Sequence, residues 1–206
     1  MKMNKTDSTV MFNLSYGLYL LSARTEEKDN ACIINTALQV TSNPLRISIT
    51  LNKDNYTHDM ILKTGLFNVS ILSKSATFEI FTHYGFQSGR DTDKIIDSPH
   101  LTRSENGLFY LSACSNSFIS AKVVESVDLG THTLFIADVT EAKKLSDEPS
   151  VTYEYYHKNI KPKPEKKDDK KGFICKICGY VYEGDEVPED FICPICKHGA
   201  SDFVRL

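Results

Sequence analysis

The residues best suited to chemistry stand near the end of the chain, where Cys175 and Cys178 form one C-x-x-C pair and Cys193 and Cys196 form a second. Four thiolates so spaced can close a tetrahedral site on a single metal ion. The stretch that carries them, residues 172 to 206, is too short to bury a large apolar core, so a metal would serve it as a staple. Two disulfides would use the same four sulfurs. The opening MKMNKTDSTV has no signal-peptide core, which gives a cytoplasmic chain as the expectation, and in that compartment paired cysteines more often hold metal. Spacing alone leaves iron and zinc level, because both accept four sulfurs in a tetrahedron. Cys32 and Cys114, in ACII and LSAC, lie outside the cluster and read as buried thiols packed like small hydrophobes.

The elements that must position such a site belong to a chain of 206 residues, enough for one domain of ordinary size besides the small one. At 41% hydrophobic and 25% charged residues it has the balance of a soluble globular protein. No apolar run is long enough to span a bilayer, and a net charge of −3 leaves no footprint for nucleic acid. Residues 158 to 171, KNIKPKPEKKDDKK, hold seven lysines and three acids with Ile160 as the one apolar side chain. They cannot bury a core, so they are expected to form a charged flexible linker between a domain of residues 1 to 157 and one of residues 172 to 206.

Within the larger domain, residues 17 to 22 and 31 to 36 read as a hairpin, and residues 46 to 51 as a third strand with Ile47 and Ile49 on one face. A short helix capped by Thr57 or Asp59 runs to Lys63 and stops at Gly65. Residues 67 to 72 alternate as a fourth strand, and a second short helix ends at Gly85. A polar loop spans residues 86 to 97, and two longer strands follow, joined at Gly130 and Thr131. Closely spaced strands without repeated strand–helix crossovers predict a mainly β fold, a closed or partly closed barrel. No G-x-G-x-x-G follows a strand, so no Rossmann nicotinamide site is predicted.

Two resemblances sharpen this reading. The run Cys178-Gly179-Tyr180-Val181-Tyr182 with the later Cys193-Pro194 resembles rubredoxin, and its compact spacing resembles the rubredoxin-like tail of rubrerythrins. Iron is what that resemblance implies for Cys175, Cys178, Cys193 and Cys196, with zinc as the alternative. A Gly at 179 can take positive φ and turn backbone N–H groups toward sulfur. Lys197 stands where rubredoxins usually carry Gly. The pieces YGLYLLSA, CIINTALQVTSNP, ISITLNKDNYTHDMI, YGFQSGRDTDK and GTHTLFIADV, in that order, resemble the flavin reductase family with its FMN-binding split barrel. With the tail, the whole resembles flavin reductase–rubredoxin fusions of the high-molecular-weight rubredoxin type.

These resemblances imply a set of site residues. Thr57 at a helix start offers a hydroxyl and helix N–H groups to an FMN phosphate, with Asn52 and Lys53 flanking it and Lys94 adding charge. Asn35, Thr36, Gln39 and Thr41 match the ring-binding segment; Phe86, Ser88 and Gly89 match the loop that closes over the cofactor. His132 matches the family's histidine beside the flavin, although Thr131 replaces the usual acid before it. Tyr153, Tyr155 and Tyr156 match side chains that cover a flavin across a dimer. The expected function is electron transfer from NADH or NADPH through FMN to the iron and on to a redox partner, such as a diiron flavoprotein or a rubrerythrin, by a homodimer. The alternatives are a flavin reductase with a structural zinc tail and a non-catalytic FMN- and metal-binding module.

Overall fold

The computed structural model describes residues 8–96, 98, 100–162, 172–176, 179–194 and 198–206. Strands β1 (Tyr19–Arg24) and β2 (Asp29–Ile34) pair as the predicted hairpin. β3 (Ala37–Ser42) and β4 (Leu45–Asn52) form a second hairpin; β3 was not foreseen as a strand, because none of its side chains is buried and no alternation marks it. Helix α1 (Tyr56–Thr64) is capped by Asn55, whose side chain accepts from the Thr57 N–H at 3.0 Å, so neither Thr57 nor Asp59 is the cap. It ends at Gly65, whose φ of 68° is the left-handed conformation that glycine adopts without strain.

β5 (Leu66–Leu72) and helix α2 (Phe78–Gly85) follow, then a short hairpin of β6 (Leu101–Arg103) and β7 (Phe109–Leu111) that the sequence reading passed over. The long β8 (Ser115–Asp128) and β9 (His132–Lys144) turn at Gly130, φ 86°. A helical turn at Tyr153–Tyr155 continues as a π-helix through Tyr156–Ile160. The start of the expected linker, Lys158 to Ile160, is therefore helical.

The seven-stranded antiparallel sheet has the order β2-β1-β5-β8-β9-β4-β3. Its two edges are consecutive in sequence, joined through Asn35 and Thr36 alone. The three residue steps from Ile34 to Ala37 reach no more than about 11 Å, so the sheet must curl until its edges come together, which makes it a split barrel. Its interior holds Leu21, Ile34, Ile49, Phe67, Ala121 and Phe135, closed at one end by Met60 and Ile61 of α1. The outer face of β1, β2 and β5 carries a second core with Phe81, Tyr84 and Tyr156. In the tail, β10 (Phe173–Cys175) lies between β11 (Val181–Tyr182) and β12 (Phe203–Arg205). No helix among the described residues is long and apolar enough to cross a membrane.

Candidate flavin cleft and thiol centre

Where β2, β4, α1 and the loop after α2 converge, they enclose a cleft of about 610 Å³, within the range of small-molecule sites. Asn52, Phe86, Ser88, Gly89 and Lys94 line it. Thr57 lies fully buried behind this wall, beneath the cap of α1. Lys94 is 2% exposed and donates to the carbonyls of Tyr84 at 3.1 Å and Gln87 at 3.0 Å. Burial holds its ammonium below the ordinary lysine value; the nearby Cys32 thiol raises it and Lys28 lowers it further.

Three neighbours escaped the sequence reading. Asn30 and Cys32 share the inward face of β2, and Tyr56 opens α1 at the cleft wall. The Asn30 amide donates to the Thr57 hydroxyl at 2.9 Å, while its Oδ1, in a residue only 1% exposed, has no hydrogen-bond partner among the described residues. That oxygen faces Gly89, where any Cβ would collide with the amide. Burial pushes the Cys32 thiol up, and hydrogen bonds from Thr57 and Asn55 and the charge of Lys94 partly offset the rise. Period-two alternation placed Asn30 on an otherwise apolar face, and a polar residue there was the available signal.

An ammonium, a hydroxyl, helix N–H groups and an amide with one unused end form a donor set that fits a phosphate. A half turn of the Asn30 amide would aim Nδ2 at the cleft. The residues present therefore fit the phosphate of a flavin.

A second cavity, about 320 Å³, lies on the other side of the crossover and is lined by Asn35 and Thr36 together with Tyr16, Tyr19 and Thr50. The Thr36 hydroxyl donates to the Thr50 carbonyl at 2.7 Å. Gln39 and Thr41 are not brought there: they sit exposed on β3, Gln39 donating to the Thr41 carbonyl and Thr41 to that of Pro44. Lys53 also points elsewhere, paired with Asp128 at 2.7 Å. His132 pairs in register with Asn52 of the cleft wall, and its Nδ1 lies 2.9 Å from the Thr131 hydroxyl. Tyr153 borders a separate cavity with Tyr16, and Tyr156 is buried in the outer core.

In the tail, Cys175 and Cys193, one from each pair, are 1% and 0% exposed and share a core with Phe203, walled by Phe173, Tyr180, Tyr182 and Phe191. Cys178 and Cys196 lie outside the described residues. Gly179 has φ 84° and donates its N–H to the Cys175 carbonyl at 2.9 Å, and the Cys193 N–H bonds the His198 carbonyl at 2.8 Å. Two buried thiols from separate pairs in one small core fit a thiophilic metal such as iron or zinc.

Comparison with known proteins decides the family. The flavin reductase like domain matches residues 11–163, and the rubredoxin-like domain of rubrerythrin matches residues 173–204. The chain belongs to the flavin reductase family. This flavin reductase-family chain is 33% identical to the high molecular weight rubredoxin of Moorella thermoacetica, over 97% of its own length and 100% of that protein's. It is 33% identical to the ferric-chelate reductase (NAD(P)H) of Archaeoglobus fulgidus, over 73% of its length and 89% of that protein's. Among solved structures, an FMN-binding protein from Thermus thermophilus shares its fold at TM-score 0.58 and 19% identity, over 84% of this chain and 83% of that one. The NADH:FAD oxidoreductase SgcE6 of Streptomyces globisporus does so at TM-score 0.61 and 17% identity, over 69% and 84%. At these identities the two structures speak to the fold.

Proposed function

We propose that this chain is an electron-transfer flavoprotein: FMN sits in the barrel cleft, NADH or NADPH delivers hydride to it, and single electrons leave through a tetrathiolate iron site to a partner protein. The observation that carries the reading is the presence in one chain of two sites. One is a cleft with a buried ammonium, a hydroxyl and, among the described residues, an unpartnered amide oxygen at its base; the other is a small core built on two buried thiols. Flavin supplies chemistry in both two-electron and one-electron steps.

The chain's own residues divide the remaining work. Thr57, Asn30 and Lys94 hold the phosphate, Asn35 and Thr36 hold the ring edge, and His132, opposite Asn52 in the sheet, orients the hydride donor. Cys175, Cys178, Cys193 and Cys196 hold the iron. Leu38, Val40 and Leu45 on the β3–β4 hairpin and Val124 and Val127 on β8 are exposed apolar side chains, which supports a homodimer. A diiron flavoprotein or a rubrerythrin fits the role of acceptor, in keeping with relatives named as a high molecular weight rubredoxin and a reverse rubrerythrin.

Anaerobic titration with NADH and NADPH, followed by absorption, tests the reading. Bleaching of the flavin band and then of the ferric thiolate bands is the expected result. A zinc-loaded tail without visible bands would point to the flavin reductase alternative, and a flavin that neither nucleotide bleaches would point to a binding module.

A further inference from the structure

Among the described residues the tail meets the barrel beside the flavin cleft, and the contact involves the cleft itself. Phe86, which lines the cleft, also packs against the core of Cys175, Cys193 and Phe203. His198 of the tail lines the same cleft. Lys176 closes an adjoining cavity of about 400 Å³ together with Phe86, Tyr156 and His157. Nearby, Gly179 approaches the Pro162 carbonyl so closely that a Cβ would stand 3.3 Å from it.

The loop that carries Phe86 is pinned at its other points by the barrel. Lys28 donates to the Gly89 carbonyl at 2.6 Å, Arg90 pairs with Asp59 at 2.6 Å, and Lys94 grips the turn from beneath. Phe86 is thus the position at which this loop is held by the tail. We infer that the tail is a docked lid on the flavin cleft, seated on the same loop that covers the cofactor, so that tail docking and flavin retention are coupled through Phe86. This rests on the flavin reading above. Coupling between two binding events is reciprocal: the factor by which bound flavin favours the docked tail is the factor by which the docked tail favours flavin, and complete release of the tail weakens the hold on flavin by that factor. Phe86 touches both the cleft and the thiol core, which makes it a positioning residue for transfer between the two centres.

The test uses the full chain loaded with FMN and metal. A tail-side double variant, His198→Asp with Lys176→Asp, leaves the loop sequence intact. Amides of residues 85 to 89 are expected to exchange faster in it, and FMN to bind about fivefold more weakly by fluorescence titration, the low end of ordinary coupling. Unchanged exchange in β10 and β12 will show that the tail itself remains folded. Loop exchange or FMN affinity that does not move overturns the coupling. A second variant, Phe86→Asp, is read by small-angle scattering: release of the tail should enlarge the radius of gyration, and an unchanged profile overturns the docking. A wild-type chain that never retains FMN would sink the functional reading instead, while the scattering measurement, which needs no flavin, still decides the docking.

Discussion

The barrel and the tail of this chain solve the same problem with different means. In the barrel Leu21, Ile49, Phe67, Ala121, Phe135 and Ala137 are each at most 1% exposed and pack into one interior. Enough apolar area is removed from water there to offset the entropy of ordering the chain, and the surplus lets the barrel keep Thr57, Asn30 and Lys94 buried beside a cleft. In the tail the buried core among the described residues is Cys175, Cys193 and Phe203, so two of its three members are metal-ligand types. A core that small cannot hold a domain by itself. The lesson is that polar chemistry is placed within a fold in the barrel, whereas in the tail the chemistry holds the fold together.

The largest test of that contrast is metal removal. Structural metal in small thiolate domains contributes roughly 10 kcal/mol or more of apparent folding free energy. Chelation, or Cys175→Ser, should therefore unfold residues 172 to 206 while the barrel melts as before, which amide exchange followed by mass spectrometry resolves by segment. A tail that stays protected without metal would erase the distinction. The converse change is Phe67→Ala: emptying that fully buried site should cost the barrel about 4 kcal/mol and leave the metal-loaded tail unaffected. Calorimetry of the loaded protein should show one transition moving and the other standing still.

The two regions also differed in how legible they were. β4, with one buried face, announced itself by alternation, as did β5, whose apolar and polar residues alternate although both of its faces are covered; Gly65 marked the end of α1 and Gly130 the turn between β8 and β9. β3 did not, because an exposed edge strand buries nothing that a pattern could record. Ser88, Gly89 and Lys94 were reached through resemblance and do meet in the cleft. Gln39, Thr41 and Lys53 carry the right side-chain types, but local hydrogen bonds and an ion pair turn them to other partners. Asn30 escaped because the second strand of the hairpin reads as starting at residue 31, which leaves Asn30 in the polar turn, whereas β2 begins at Asp29. His198 escaped for a stronger reason: its position at the cleft depends on how two domains meet, and no local periodicity encodes that.

A smaller effect probes the polar part of the barrel. Thr57→Ala removes the acceptor of the Asn30 amide and leaves that buried group without a partner at either end, which should cost about 1–3 kcal/mol of barrel stability. Thr57→Ser keeps the hydroxyl and should restore most of the loss. Because the same hydroxyl is assigned to the phosphate, FMN affinity should fall roughly tenfold in the alanine variant, as about 1.4 kcal/mol would give. Equal affinity in both variants would mean that Thr57 only braces Asn30.

The smallest effect lies at the seam between the regions, where His157 packs against Tyr153 at 4.5 Å and Tyr156 at 5.2 Å. Burial, reinforced by the charge of Lys161, holds its imidazole below the ordinary histidine value. Between that lowered value and about 6.5 the unfolded chain binds the more protons, so stability rises with pH across this window. The contribution is complete above the ordinary value and lost once the pH falls beneath the folded one. Melting curves of the full chain taken from about pH 5 to about pH 7.5 should therefore climb by a modest amount, and His157→Gln should flatten the climb around the histidine range. Both tyrosines belong to the barrel, so the slope should survive removal of the metal. A slope that vanishes with the metal would show that the tail supplies the burial, and would move His157 from the self-sufficient region to the one that depends on its ligand.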